Sequence, residues 1–188
     1  MKTNVKELIK PIVVLFLIAA VMAALLGGTN LLTKNKIAAL EKKSTEQAVA
    51  KVIESDKADE KTVNYNGLDY TYYEAQKDAK TVGYAFKVSE NGYGGAVSCV
   101  VGIKLDGTIS AVEITDVSNE TPGLGQNAKK ESFYKQFADK KGQLEVTKNT
   151  PADNQVKAVT GATITSRAAT KAVNKATELF EYITKEAK

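Results

Sequence analysis

The chain has 188 residues, 43% of them hydrophobic, and a formal charge of +4, which suits one ordinary globular domain with an appendage and is too short for two full domains. It contains no histidine and one cysteine, Cys99, which excludes a histidine proton shuttle, an internal disulfide, a cysteine-rich zinc site and a cysteine-ligated iron–sulfur cluster within the chain. Lys2, Lys6 and Lys10 against Glu7 carry much of the positive charge, so no concentrated basic face marks a nucleic-acid binder, and any redox chemistry needs an organic cofactor.

After a basic start over residues 1–10, the stretch 11–33 holds no charged residue and matches the ~20 residues that a helix needs to cross the bilayer. Pro11 suits the first turn of such a helix, where its missing N–H costs nothing. A cleaved signal peptide shares the basic start and the apolar middle. This run is longer than the usual signal core, however, and Ala19, Ala20, Ala23 and Ala24 lie inside it, so the residues favour a retained anchor. The positive-inside rule keeps residues 1–10 cytoplasmic and puts the remainder on the extracytoplasmic side of the cell membrane, with Lys34 and Lys36 weakening the contrast.

Residues 34–61 read as an amphipathic helical stalk and linker. Ile37, Leu40, Val49, Val52 and Ile53 fall at partly helical spacing up to Glu54, and Ser55–Lys61 is charged and loop-like. The domain proper is expected over residues 62–188. Val63–Tyr73 predicts a strand pair around Asn66-Gly67, and Thr81–Val88, Gly95–Lys104 and Thr108–Thr115 are the strongest strand signals, the last two joined at Asp106-Gly107. Cys99 falls inside a strand and reads as a core residue. A helix is predicted from about Gln126 to Ala138 with Phe133, Phe137 and Tyr134 turned inward, and another from Ser166 to Ile183. The fold class is therefore α+β, an antiparallel sheet covered on one face by flanking helices.

Three glycine-containing segments stand out: Asn91-Gly-Tyr-Gly-Gly95, Glu120-Thr-Pro-Gly-Leu-Gly125 and Thr160-Gly-Ala-Thr-Ile-Thr-Ser166. Each alone reads as a turn. In the second, Pro122 stiffens the chain while Gly123 and Gly125 allow close approach to something bulky, which suggests a flat ligand. The third is a hydroxyl-rich turn just ahead of a helix, where unpaired N–H groups form a receptor for phosphate and a threonine hydroxyl is available for esterification. Taken alone, it also reads as an ordinary helix cap on a membrane-tethered binding or scaffold module without a covalent flavin. No nucleotide-binding fingerprint accompanies these segments.

Thr160-Gly-Ala-Thr-Ile-Thr-Ser166 resembles the Ser/Thr-Gly-Ala-Thr motif at which flavin transferases attach FMN to a threonine through a phosphodiester. With Glu120–Gly125, the preceding hairpin and the single anchor, the chain resembles the G subunit of the Rnf electron-transport complex, an ion-translocating ferredoxin:NAD+ oxidoreductase. The C subunit of the Na+-translocating NADH:quinone reductase is similar. The resemblance implies a membrane-anchored FMN-binding domain that relays electrons within a larger enzyme and is not catalytic alone, with no metal of its own. It implies Thr163 as the flavin acceptor, with Thr165 a nearby competitor. Thr160, Gly161, Ala162, Thr165 and Ser166 would lie around the phosphate. Glu120, Thr121, Gly123, Leu124 and Gly125, and less strongly Tyr93, Gly94 and Gly95, would lie against the ring or ribityl chain. Implied partners are other membrane subunits, notably the D subunit and the A/E pair, and a flavin transferase for maturation. The motif often carries aspartate three residues before its Ser/Thr; here Lys157 stands there, with Asp153 out of register.

Overall fold

The computed structural model describes residues 5–186 and divides the chain into two compact units, one ending at Lys43 and one beginning at Ser44. Helix α1 (Val5–Val52) runs for 48 residues through the apolar stretch. The 23 residues from Pro11 to Thr33 rise about 35 Å at 1.5 Å per residue, enough to span a hydrocarbon core. Large apolar side chains along this stretch, such as Leu15, Phe16 and Leu26, are exposed, as lipid-facing groups must be. Two hydroxyls within it bond to the helix's own backbone: that of Thr29 donates to the Leu25 carbonyl (2.8 Å) and that of Thr33 to the Thr29 carbonyl (2.9 Å). Because the helix already exists at Val5, Pro11 lies inside it rather than at its first turn.

The expected stalk segment divides in two. Helix α1 continues to Val52, and its final turns lay Ala48, Val49 and Val52, followed by Ile53, against Tyr73, Ala75, Ala85 and Val100 of the sheet. The charged segment that reads as a loop begins strand β1 (Lys57–Tyr65) at Lys57; its charges face solvent along an edge strand, where they protect against pairing with other chains.

Strands β1, β2 (Leu68–Lys77), β3 (Lys80–Asn91), β4 (Ala96–Lys104) and β5 (Ile109–Asp116) form one antiparallel sheet in sequence order. Asn66 and Gly67 join β1 to β2 with φ of 54° and 79°, the positive values that a tight hairpin turn demands. In the β3–β4 pair Phe86 lies opposite Val101 and Ala85 opposite Gly102. The two-residue period therefore sends Phe86 and Val101 to one core, and Ala85 and Val100 to the layer beneath the end of α1. Both faces of the sheet are covered, not one.

The larger core forms under α2 (Glu131–Tyr134), its flanking 3-10 turns (Gly125–Lys129 and Lys135–Phe137) and α3 (Thr163–Glu186). The segment expected as one helix is broken at Lys130, whose ψ of 142° is extended. Ala128 and Phe133 are five residues apart, a spacing that one regular helix cannot place on one face, so the chain resets its register between them. Phe133 and Phe137 pack edge to face at 5.5 Å, and Tyr134 is partly buried beside them. Cys99 is fully buried in β4.

The α3 face is built from Ala168, Ala169, Ala172, Val173, Ala176, Leu179 and Phe180, an amphipathic pattern whose alanines let the helix lie close on β3 and β4. A short parallel pair, β6 (Glu145–Thr147) and β7 (Gln155–Lys157), leads into α3. The Asn174 side chain clamps the approach to β6 by accepting from the Leu144 N–H and donating to the Leu144 carbonyl, both at 2.9 Å.

Candidate functional site

Between β7 and α3 the chain reverses at Gly161, whose φ of +76° any side chain would strain. The turn is held from beneath. Ser166, fully buried, accepts from the Val159 N–H and donates to the Ala162 carbonyl, each at 2.9 Å, while its own N–H reaches the Ala162 carbonyl at 3.0 Å. That last contact is the first turn of α3. The N–H groups of Thr163, Ile164 and Thr165 precede it and have no backbone acceptor among the described residues.

These N–H groups stand at one wall of a cleft of about 740 Å³. The cleft gathers ten of the residues expected at the site: Tyr93, Glu120, Thr121, Leu124, Gly125, Thr160, Gly161, Ala162, Thr163 and Thr165. Gly94, Gly95, Gly123 and Ser166 do not line it: Gly123, at φ +74°, shapes the bend before Leu124, and Ser166 is fully buried. Lys148, Ala158, Val159 and Ile164 complete the lining and were not legible as site residues, and Lys157, noted only as a departure from the motif, also lines it. Lys148 sits in the loop between β6 and β7, a pair too short to leave a sequence pattern.

The two threonines of the turn are in different states. Thr163 is half-buried on the cleft, and its hydroxyl has no hydrogen-bond partner among the described residues. Thr165 is 1% exposed, and its hydroxyl donates to Glu120 Oε2 at 2.5 Å. The other carboxylate oxygen of Glu120 accepts the Gly94 N–H at 3.0 Å. Burial pushes the Glu120 carboxyl up, but the Thr165 hydroxyl and the N–H groups of Gly94, Tyr93 and Gly95 together outweigh it, so the group stays below the ordinary glutamate range and is ionised.

Glu120 also explains the glycines around it. A Cβ on Gly125 would lie 2.5 Å from Glu120 Oε2 and 2.9 Å from the Thr165 hydroxyl, and one on Gly92 would collide with Glu120 Oε1. Close approach at Gly125 is therefore to the protein's own side chains.

Two family profiles match the chain: one described as the RnfG N-terminal region over residues 1–52, the other as an FMN-binding domain over residues 92–178, the stretch that contains the cleft. Over 190 aligned positions the chain is 33% identical to the G subunit of the Na+-translocating ferredoxin:NAD+ oxidoreductase complex of Acetobacterium woodii, covering 92% of this chain and 91% of that protein. The chain belongs to the family of Rnf complex G subunits. Another G subunit, from the proton-translocating ferredoxin:NAD+ oxidoreductase complex of Clostridium ljungdahlii, is 47% identical over 109 residues; the match spans 57% of this chain and 58% of that relative. The fold is similar to that of the C subunit of the Na+-translocating NADH-quinone reductase from Parabacteroides distasonis, with a TM-score of 0.50 and 24% identity over 57% of this chain and 58% of that one. This family member thus joins an N-terminal apolar anchor to an FMN-binding domain.

The residues present suit FMN. Orphan N–H groups at the start of a 24-residue helix, with Lys148 and Lys157 on the same cleft, form a donor set for a phosphate, and the apolar surfaces of Val159, Leu124 and Ile164 give a flat ring a place to lie.

Proposed function

We propose that Thr163 carries FMN through a phosphodiester, installed by a flavin transferase, and that the chain relays electrons within an ion-translocating ferredoxin:NAD+ oxidoreductase of the Rnf type. One observation carries the reading: of the two competing threonines, Thr163 alone offers a free hydroxyl to the cleft, beside the unpaired N–H groups of α3. A turn that served only as a helix cap would direct its hydroxyls onto those N–H groups. Neither Thr160 nor Thr163 does so among the described residues; Ser166 secures the turn instead.

When bound, FMN supplies the redox chemistry that a chain without histidine, and with its one thiol buried, does not offer. The α3 N–H groups and Lys148 and Lys157 hold the phosphate, and Val159, Leu124 and Ile164 exclude water from one side of the cleft. A covalent bond removes the dissociation equilibrium, so the group stays in place at a site open to solvent and to partners. With residues 1–10 cytoplasmic, the domain lies on the extracytoplasmic side of the membrane, where the D subunit and the A/E pair of the complex are its partners.

The test is the full chain expressed with a flavin transferase and denatured in SDS. Fluorescence remains in the wild-type band, peptide mass spectrometry over residues 158–167 places FMN on Thr163, and Thr163→Ala abolishes it. An unmodified wild-type peptide refutes the covalent reading, and retained fluorescence in Thr163→Ala refutes the attachment residue.

A further inference from the structure

Glu120 occupies a position that the family assignment does not explain. It is a charged side chain only 2% exposed, and both of its oxygens are already engaged within the protein. From the bend after β5 it reaches the loop between β3 and β4 through the Gly94 N–H and the first turn of α3 through the Thr165 hydroxyl. It thereby ties together three segments distant in sequence, and it lies on the cleft together with Thr165. Gly92 and Gly125 leave no room for even a methyl group beside the carboxylate, so both glycines pack closely on it, while its two hydrogen bonds hold its orientation.

Resting on the covalent-flavin reading, we propose that Glu120 is a positioning residue that determines which threonine is esterified: it ties the Thr165 hydroxyl into the cleft wall and leaves Thr163 as the sole free acceptor. In the transfer an oxygen–phosphorus bond forms at a threonine Oγ as the phosphoanhydride bond of a flavin dinucleotide donor breaks. The hydroxyl proton passes to solvent, a nucleoside monophosphate leaves, and no oxidation state changes. The acceptor oxygen must approach the phosphorus in line with the departing group, which requires access and a free lone pair. Thr163 meets both conditions. Thr165 fails on access: it is 1% exposed and its O–H is donated to Glu120, which holds the oxygen in a fixed orientation within the cleft wall, although donation leaves its lone pairs free.

Three variants of the full chain, each expressed with a flavin transferase, test this. Glu120→Ala opens the space above Thr165 and frees its hydroxyl; flavin on Thr165, read by peptide mass spectrometry, rises roughly tenfold over wild type, the population change that losing one hydrogen bond to a charged group produces. Glu120→Gln fills the same volume and still accepts the Thr165 hydroxyl through its carbonyl, so flavin stays on Thr163. Should Glu120→Ala give no cooperative thermal transition, Glu120→Asp, which withdraws the carboxylate by one methylene, carries the same expectation. A role confined to stability would lower total flavin without moving it between threonines. The proposal is overturned if flavin remains wholly on Thr163 in the folded Ala or Asp variant, or if Gln redistributes it as far as Ala does. Wild type carrying flavin on Thr163 beside an unchanged Ala variant defeats this inference alone, whereas wild type unmodified across residues 158–167 defeats the covalent reading and this inference together.

Discussion

Gly125→Ala separates two explanations of the Glu120–Gly125 segment, close approach to a ligand or close approach to the protein itself. An added methyl would lie 2.5 Å from Glu120 Oε2, 2.8 Å from Glu120 Cβ and 2.9 Å from the Thr165 hydroxyl, against ordinary contacts of about 3.5–4.0 Å. Neither neighbour can swing away, because each holds the other and Glu120 also holds Gly94. Relief requires breaking the clip. Overpacking costs about 1–3 kcal/mol and a lost hydrogen bond to a charged group about 1.5–3 kcal/mol. Against these stands about 0.4–1 kcal/mol regained because alanine stiffens the unfolded chain. The net is a loss of about 2–5 kcal/mol, which for a domain of this size lowers the midpoint by roughly 6–15 °C. The assay is thermal unfolding of the full chain in detergent by circular dichroism, in a Thr163→Ala background that carries no flavin. A Tm within about 2 °C of that parent refutes the reasoning, and a loss that appears only with flavin attached restores the ligand explanation.

Two further outcomes follow from ionisable groups. Cys99 is fully buried and its thiol is pushed up to about 12 by desolvation, so it should resist alkylation at pH 8 in the native protein and react once denaturant is added; rapid native labelling would contradict the core placement. Glu120 sits below the ordinary glutamate range when folded, so the unfolded chain takes up its proton first as pH falls. Its stabilisation is then present above the ordinary range and lost as pH drops through the depressed folded value. Midpoints measured from pH 7 down to 3 should fall less steeply for Glu120→Gln than for wild type, and parallel slopes would refute the assignment.

Features governed by local chemistry were legible in the sequence. The uncharged run needs a helix in lipid, Asn66-Gly67 needs positive φ, and the alternation around Phe86 and Val101 needs strands; that both faces of the sheet are covered was not legible. Features arising from distant contacts were not. The break at Lys130 comes from the need to bury both Ala128 and Phe133, and the strand at Lys57 exists because β2 is beside it. At the site, the hydroxyl-rich turn immediately ahead of a helix was legible. The differing states of Thr163 and Thr165 depend on Glu120, 45 residues away, and no local pattern encodes that contact. Helix α3 begins at Thr163 rather than Ser166 for a related reason: the Ser166 hydroxyl is spent on Val159 and Ala162 below the turn, and the first helical turn forms above it.

The end of α1 belongs to the energetics of the domain as much as to the anchor. The Ser110 hydroxyl donates to the Val52 carbonyl, one of the acceptors that a helix C-terminus leaves unpaired, and a Cβ on Gly102 would collide with that same carbonyl oxygen. Val49, Val52 and Ile53 are 3%, 2% and 6% exposed and cover Ala75, Ala85 and Val100, all at 0%. At about 1.5–3 kcal/mol for each large side chain buried, these three residues contribute roughly 5–9 kcal/mol. That is comparable to the whole net stability of an ordinary domain, about 5–15 kcal/mol. A soluble version of the chain starting at residue 44 should therefore unfold cooperatively. One starting at residue 62, which also lacks the first half of β1, should show no cooperative transition and should bind a hydrophobic dye through its uncovered sheet face. Equal midpoints for the two would mean that the sheet does not depend on the helix end. β3 and β4 send alternate residues to the final turns of α1 on one face and to α3 on the other, so loss of the helix end uncovers the same two strands on which α3 packs.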